Sequence, residues 1–557
     1  MRRFLSGTAL VLCISGCDGG APPEPANEYG GTLVISTGAD INGLMPPLIY
    51  TVQENSVVDI IFERLAEPGM DLNSVGDLGF TPELAQSWEW SEDSLSIAFS
   101  MLPNAHFHDG QPVTAHDVAF TYDVYADPRT GSGEAELLAH IDSVTARDSA
   151  TAVFWFARRY PQQFFDATYH MRILPRHLLS GVARGELRTA EFARQPVGSG
   201  QFRFVRHQPG AMFEVAADTT HARGRPYLDN IVWTVTSDLS AAMTRLLARD
   251  ADFLEMVPAG KFSDVAAQSE LALARYPSLG VGFLQFNLQD PRSPASPHPI
   301  FGNREVRRAI AMSLDRKKLV SAVFDSLAIV AQGPFASVLA TADSSVRQIE
   351  FDPARAQEIL DSLGWRDRNE DGVRERNGRP LSFTLVSPTS SVYRTRMAIL
   401  IEDMLSDVGI RVVLQTMDIN PFMQFGNSRA FDAIFSSTYY DPSPAGIRQT
   451  WSSAAARKGG SNLSGYSNPV FDRLVDSAAS SMDGTAYRTY YRRAYEIIIA
   501  DAPGVWLYET VNFAAHDRRV QLAELRADAW WAGIGQWKIA PDGRLPRDGI
   551  QKGLAAN

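Results

Sequence analysis

Pro82-Glu-Leu-Ala-Gln-Ser-Trp-Glu-Trp-Ser-Glu-Asp93 and Phe107-His-Asp-Gly-Gln-Pro-Val-Thr-Ala-His-Asp-Val118 flank the stretch Ser94-Leu-Ser-Ile-Ala-Phe-Ser-Met-Leu102. In that stretch apolar and small residues alternate. A period of two sends successive side chains to opposite faces of a strand, so 94–102 reads as a strand with one buried face. Thr114 then offers a hydroxyl at a helix start. Asp117 supplies a first-turn acid, and Val118, Phe120 and Tyr122 follow on the helix.

Outward from this unit the same alternation of strand and helix recurs. Strands are expected from Thr32, over Thr151–Phe156, Ala211–Val215, Asn230–Val235 and Leu381–Val386, and over Ile410–Leu414. Helices are expected over Asn55–Leu65, Ser240–Ala248, Arg304–Phe324, Asp352–Leu363 and Arg396–Val408. Strands interleaved with helices predict mixed α/β lobes. The chain has 557 residues, 45% of them hydrophobic and 21% charged, enough for several domains with sizeable cores. A net charge of −12 argues against a nucleic-acid binder, which needs a basic face to displace counterions. Both cysteines, Cys13 and Cys17, fall in the first 17 residues, so the rest of the chain has no disulfide and no catalytic thiol.

The amino terminus reads as an export address. Arg2 and Arg3 precede an apolar run from Phe4 to Ile14, then Ser15-Gly16-Cys17. Ile-Ser-Gly-Cys resembles a bacterial lipobox, which implies removal of residues 1–16 and a lipid on the Cys17 sulfur. Loss of Arg2 and Arg3 takes the net charge from −12 to −14. Residues 17–27, rich in Gly, Ala and Pro, read as a flexible tether. The expected location is the periplasm or cell surface, anchored to a membrane. Asp18 after the lipid site favours the inner membrane in a Gram-negative envelope.

The opening stretch resembles the signature of family 5 extracytoplasmic solute-binding proteins, the oligopeptide-, dipeptide- and nickel-binding components of ABC importers. Five later stretches match in order: Pro196-Val-Gly-Ser-Gly-Gln-Phe202, Phe301 to Arg316, Phe351 to Leu360, Gly364-Trp365 with Asp371-Gly-Val373, and Gly465 to Leu474. The resemblance implies a type II periplasmic-binding-protein-like α/β fold. It has two lobes, three discontinuous domains and a ligand cleft between the lobes. Domain I would comprise 28–66, 197–286 and 512–557. Domain II would be an insertion at 67–196, and domain III, the second lobe, would be 287–511. Hinge closure over the ligand would precede docking on a permease.

A site for peptides of differing sequence must rely on backbone pairing and end-group charge. In peptide-binding members an Asp pairs with the ligand ammonium, and Asp441 stands at the matching offset from Phe431. Tyr439-Tyr440 replaces the small residues of those members, which leaves the ligand class open. Tyr439, Tyr440 and Trp451 are candidate pocket walls. Asn42 and Leu44 are placed near the cleft by the likeness of Asp40 to Pro47 to the family's first ligand-side loop. The segment from Gly280 resembles a hinge-proximal strand whose backbone faces ligand. Asp441 is also a natural turn opener before Pro442.

Other motifs are read as structural. The loop Asp367 to Gly378 resembles half an EF-hand but has Gly378 where the bidentate Glu belongs. His106, His108 and Asp109 belong to the signature, and Arg307-Arg308 reads as a solvated or lobe-stabilising pair. None of the ten histidines is followed by Glu, and there is no SxxK, G-x-S-x-G or Walker A motif. The expectation is therefore a monomeric binding lipoprotein, neither an enzyme nor a user of a cofactor or metal. It would take a short peptide and deliver it to permease subunits served by a separate ATPase. The alternatives are a metal chelate or oligosaccharide as ligand, or a lipid-anchored hydrolase or sensor.

Overall fold

The computed structural model describes residues 28–548 except 325, 444 and 458, and leaves the side chains of 259 and 445 undescribed. Cys17, the signal and the tether lie outside these residues. No helix among the described residues is long and apolar enough to cross a membrane.

One mixed sheet runs through the whole molecule. In spatial order its strands are Arg411–Met417, Ser382–Pro388, Ala433–Tyr439, Leu271–Phe286, Gly504–Asp517, Phe253–Leu254, Thr32–Thr37, Asn230–Val235, Met212–Ala217 and Phe202–Gln208. The two longest strands, Leu271–Phe286 and Gly504–Asp517, sit in the middle and pair antiparallel from Leu271↔Asp517 to Gln285↔Gly504. Their register shifts between Pro277 and Val281. On one side of that shift Phe253–Leu254 pairs with His516 and Ala515. On the other, Ala433–Tyr439 pairs with 280–286. The two strands thus link two lobes, and the bulge marks the crossing. Gly282 permits it: a Cβ there would lie 2.2 Å from the Tyr508 ring.

The first lobe also carries an antiparallel sheet of Ala85–Trp90, Ser96–Met101, Thr151–Phe156 and Ile141–Ala146. Its core is continuous from Leu33 through Phe99 and Phe164 to Trp537. Among the described residues the second lobe packs apolar cores around Phe301, Ile310 and Phe383, around Trp451, Tyr491 and Trp506, and a smaller one around Phe422 and Phe431.

The opening motif forms as its residues dictate. Ser96–Met101 buries Ile97, Phe99 and Met101 on one face. The backbone N–H and hydroxyl of Thr114 both donate to Asp117 at the start of helix Ala115–Ala126. His108 is structural: its backbone N–H donates to the Gly198 carbonyl, and its Nε2 lies 2.9 Å from the Gly200 carbonyl. Gly198 is required there, since a Cβ would lie 1.9 Å from the Ile61 carbonyl oxygen. Asp109 pairs with His177 at 2.7 Å. The two signature turns therefore clamp each other and the end of helix Val52–Ile61. Arg307 is buried and donates to the carbonyls of Phe301, Asp501 and Ala502, joining two helix ends within the second lobe. In the loop after Asp367, the Asp367 and Asp371 carboxylates accept the Gly372 and Val373 N–H groups.

One element departs from expectation. Arg304–Phe324 is two helices, Arg304–Met312 and Arg316–Phe324. The Ser313 hydroxyl donates back to Ala309, and Asp315 accepts the Lys318 N–H, so one helix ends and the next is capped within three residues. The apolar periodicity runs through both, which is why it reads as one.

Candidate functional site

The strand Ala433–Tyr439 leaves the sheet at the bulge and delivers Asp441 into the space between the lobes. Two chambers meet there. The larger, about 610 Å³, is walled by Asp166, Arg158, Tyr160 and His140 from the first lobe and Arg448, Gln449 and Asp476 from the second. The other, about 490 Å³, is walled by Asp59, Arg172, Glu255, Tyr276, Trp530 and Trp531 from the first lobe and Tyr439 from the second. Asp441 and His170 line both. Across the gap, Tyr439 donates its hydroxyl to the Ala527 carbonyl at 3.2 Å, Ser74 to the Pro442 carbonyl at 3.5 Å, and Gln162 to the Tyr487 hydroxyl at 3.3 Å, while Leu72 and Ala527 pack into a second-lobe core.

Charge in the second chamber is sorted by partner. Asp59 takes the Arg172 Nε at 2.6 Å, Arg64 at 3.0 Å and the Trp531 indole at 2.9 Å. Burial would raise its pKa, but the two guanidinium groups override this and hold it at about 2. Asp528 is paired with Arg526 at 2.6 Å and accepts the Tyr169 hydroxyl at 3.0 Å. Glu134 is 3.0 Å from His170, with Asp166 on the other ring nitrogen at 3.5 Å. Burial disfavours the imidazolium, yet hydrogen bonds to Asp166 and Glu134 prevail and lift it to about 10.

Asp441 has no such partner. Its Oδ1 accepts the Ser443 N–H at 2.7 Å, so the turn-opening reading holds too. Its side chain reaches water, yet the surrounding walls make the site poorly solvated. That desolvation pushes its carboxyl above the ordinary range, opposed only weakly by His170 and the Ser443 N–H. A carboxylate of this kind gains from an arriving cation.

The other expected site residues are placed as follows. Tyr439 is 63% exposed and lines the second chamber. Tyr440, its strand neighbour, points the opposite way and is 4% exposed in the core. A period of two cannot put both in the cleft. Trp451 is fully buried between Phe283 and Trp506, with ring centroids 5.7 and 5.6 Å away, and lines neither chamber. Leu44 is 2% exposed in the first-lobe core, and Asn42 is exposed but lines neither chamber. Their loop is tied elsewhere, because Asp40 accepts the Gly210 N–H at 2.6 Å in a distant hairpin. Gly280 already pairs in the sheet, so it is Tyr276, on the same strand, that lines the second chamber.

His170, Glu134, Glu255, Asp528 and Trp530 were not found from sequence. They come from separate segments and carry no shared spacing. Among the described residues no group of three or more His, Cys, Asp or Glu is placed to hold a metal ion.

Two lobes joined by a pair of long strands, with two chambers between them, have the architecture of a binding protein with an inter-lobe cleft. The chain belongs to the bacterial extracellular solute-binding proteins of family 5, whose middle-region model matches residues 79–459. It is 28% identical over 549 residues to the oligopeptide-binding protein AppA of Bacillus subtilis strain 168, covering 95% of this chain and 97% of that one. The structure of AppA from Bacillus subtilis in complex with a nonapeptide superposes with a TM-score of 0.70 at 25% identity, covering 92% of this chain and 100% of that one. The substrate-binding protein CtaP of Listeria monocytogenes matches with a TM-score of 0.79 at 20% identity, over 92% of this chain and 100% of that one.

Proposed function

We propose that this protein captures short peptides between its lobes and hands them to the permease of an ABC importer, with Asp441 receiving the peptide ammonium. The observation that carries this reading is a desolvated carboxylate with no ion-pair partner among the described residues, set where two chambers meet. An ammonium supplied by the ligand replaces the missing partner, so binding favours the closed arrangement. Tyr439 forms an apolar wall beside it and bridges to the other lobe. The likeness to an oligopeptide-binding protein over nearly the whole chain supports the same ligand class.

The protein is an importer receptor and not an enzyme in this reading. It acts as a monomer tethered by lipid at Cys17, and the ATP work belongs to other subunits. Mass spectrometry of solute retained by the purified protein identifies the ligand, and peptides are the expected result. Asp441→Asn weakens peptide binding at least about tenfold by titration calorimetry, roughly 1.4 kcal/mol, while the fold is kept. Equal affinity of mutant and wild type removes Asp441 from the site. Labelling with radioactive palmitate tests the anchor: label is expected on the wild type and not on Cys17→Ala.

A further inference from the structure

Of the carboxylates lining the second chamber, Asp59, Asp528 and Glu134 are each held by a cation. Glu255 is not. It follows directly on the strand Phe253–Leu254 of the first lobe, so it faces the chamber from the side opposite Asp441. Its two oxygens accept only neutral donors, the Gln53 amide at 2.8 Å and the Trp530 indole at 2.7 Å. The Tyr276 hydroxyl donates to its backbone carbonyl at 3.0 Å and fixes where the side chain starts. Burial pushes its carboxyl above the ordinary glutamate value, and the two neutral hydrogen bonds only partly offset this. A glutamine or a backbone carbonyl would accept the same two donors without that cost. An acid at this place is explained by a positive group that arrives from outside the chain. The aromatic faces of Tyr276, Tyr439 and Trp530 in the same chamber suit such a group.

We infer that Glu255 is a second cation seat in the cleft, so that the preferred ligand carries a basic side chain in addition to the ammonium received by Asp441. This rests on the peptide reading above and narrows it to lysine- or arginine-bearing peptides. With one seat on each lobe, a doubly charged ligand ties the lobes together from both sides.

The test is a set of alanine tetrapeptides in which one lysine is moved through the four positions, each matched by a norleucine peptide of equal length, titrated into the full protein. At one position the lysine peptide is expected to bind about tenfold or more tighter than its norleucine match, as for other desolvated charge pairs. In Glu255→Gln that ratio falls to about one, with circular dichroism and thermal unfolding confirming the fold. Equal binding of lysine and norleucine peptides by the wild type at every position overturns this inference and leaves the peptide reading standing. A lysine preference that persists in Glu255→Gln also overturns it. No binding by any peptide overturns the peptide reading and this inference with it.

Discussion

Two sets of acids in this protein are treated in opposite ways. Asp252 is fully buried at the edge of the first lobe and receives Arg519 through both oxygens at 2.9 Å, Arg547, and the Val34 N–H at 2.9 Å. Asp548 takes the other side of Arg519 at 2.6 Å and the Thr32 N–H at 3.0 Å. That network fastens the first strand to the C-terminal segment, and every charge in it is answered. In the cleft, no cation among the described residues forms an ion pair with Asp441 or Glu255, and His170 acts on Asp441 only at longer range. On the proposed function, the difference separates a lock from a socket. A lock is complete in the folded chain, whereas a socket is completed by a ligand.

The comparison breaks first at the lock. Arg519→Met takes the cation from buried Asp548 and leaves Asp252 with Arg547 alone, and stability is expected to drop by about 3–5 kcal/mol in urea unfolding. A drop below about 1 kcal/mol means that the network is not what holds the C-terminal segment.

The next effect lies at His170. Its folded value of about 10 stands above the ordinary 6.5, so its contribution is complete below pH 6.5 and is lost as pH rises toward 10. The loss is on the order of 3 kcal/mol once screening at the partly exposed Glu134 is allowed for. Unfolding midpoints measured across that range should fall steeply in the wild type and little in His170→Gln.

Asp441 has the same sign as His170, starting from the ordinary carboxylate value of 3.8. Its raised value means the native state binds the proton more tightly than the unfolded chain, so stability declines as pH climbs through that value. Asp441→Asn is therefore expected to stabilise the ligand-free protein slightly at neutral pH, by no more than about 1 kcal/mol after solvent screening. A destabilised mutant would make Asp441 part of a lock. Smallest of all is the surface pair of Arg355 and Glu358, with side chains 59% and 65% exposed. Arg355→Ala should shift stability by less than about 0.5 kcal/mol.

Much of the fold was legible because local rules and tertiary packing agree. Thr114 caps a helix in the sequence and in the structure, the strand around Phe99 alternates as its residues require, and strands form around Phe154 and Ile231 where expected. The division of 304–324 was not legible, because a helix end made by one serine and one aspartate leaves the apolar period intact. At the site, Asp441 and Tyr439 fall in the cleft while Tyr440, Trp451, Asn42 and Leu44 do not. Aromatic residues near an anchor suit a pocket wall and a core equally well, and only strand direction separates the two uses.

The sequence by itself determined the family signature, the alternation of elements and the place of Asp441 just past its strand, since each depends on residues adjacent along the chain. The tertiary structure alone decided which acids are answered. Glu255 meets Trp530, and Asp59 meets Arg172, across hundreds of residues or a lobe's width of sequence. Whether a carboxylate is a lock or a socket depends on which cations folding brings within about 4 Å of it, and spacing along the chain carries no record of that.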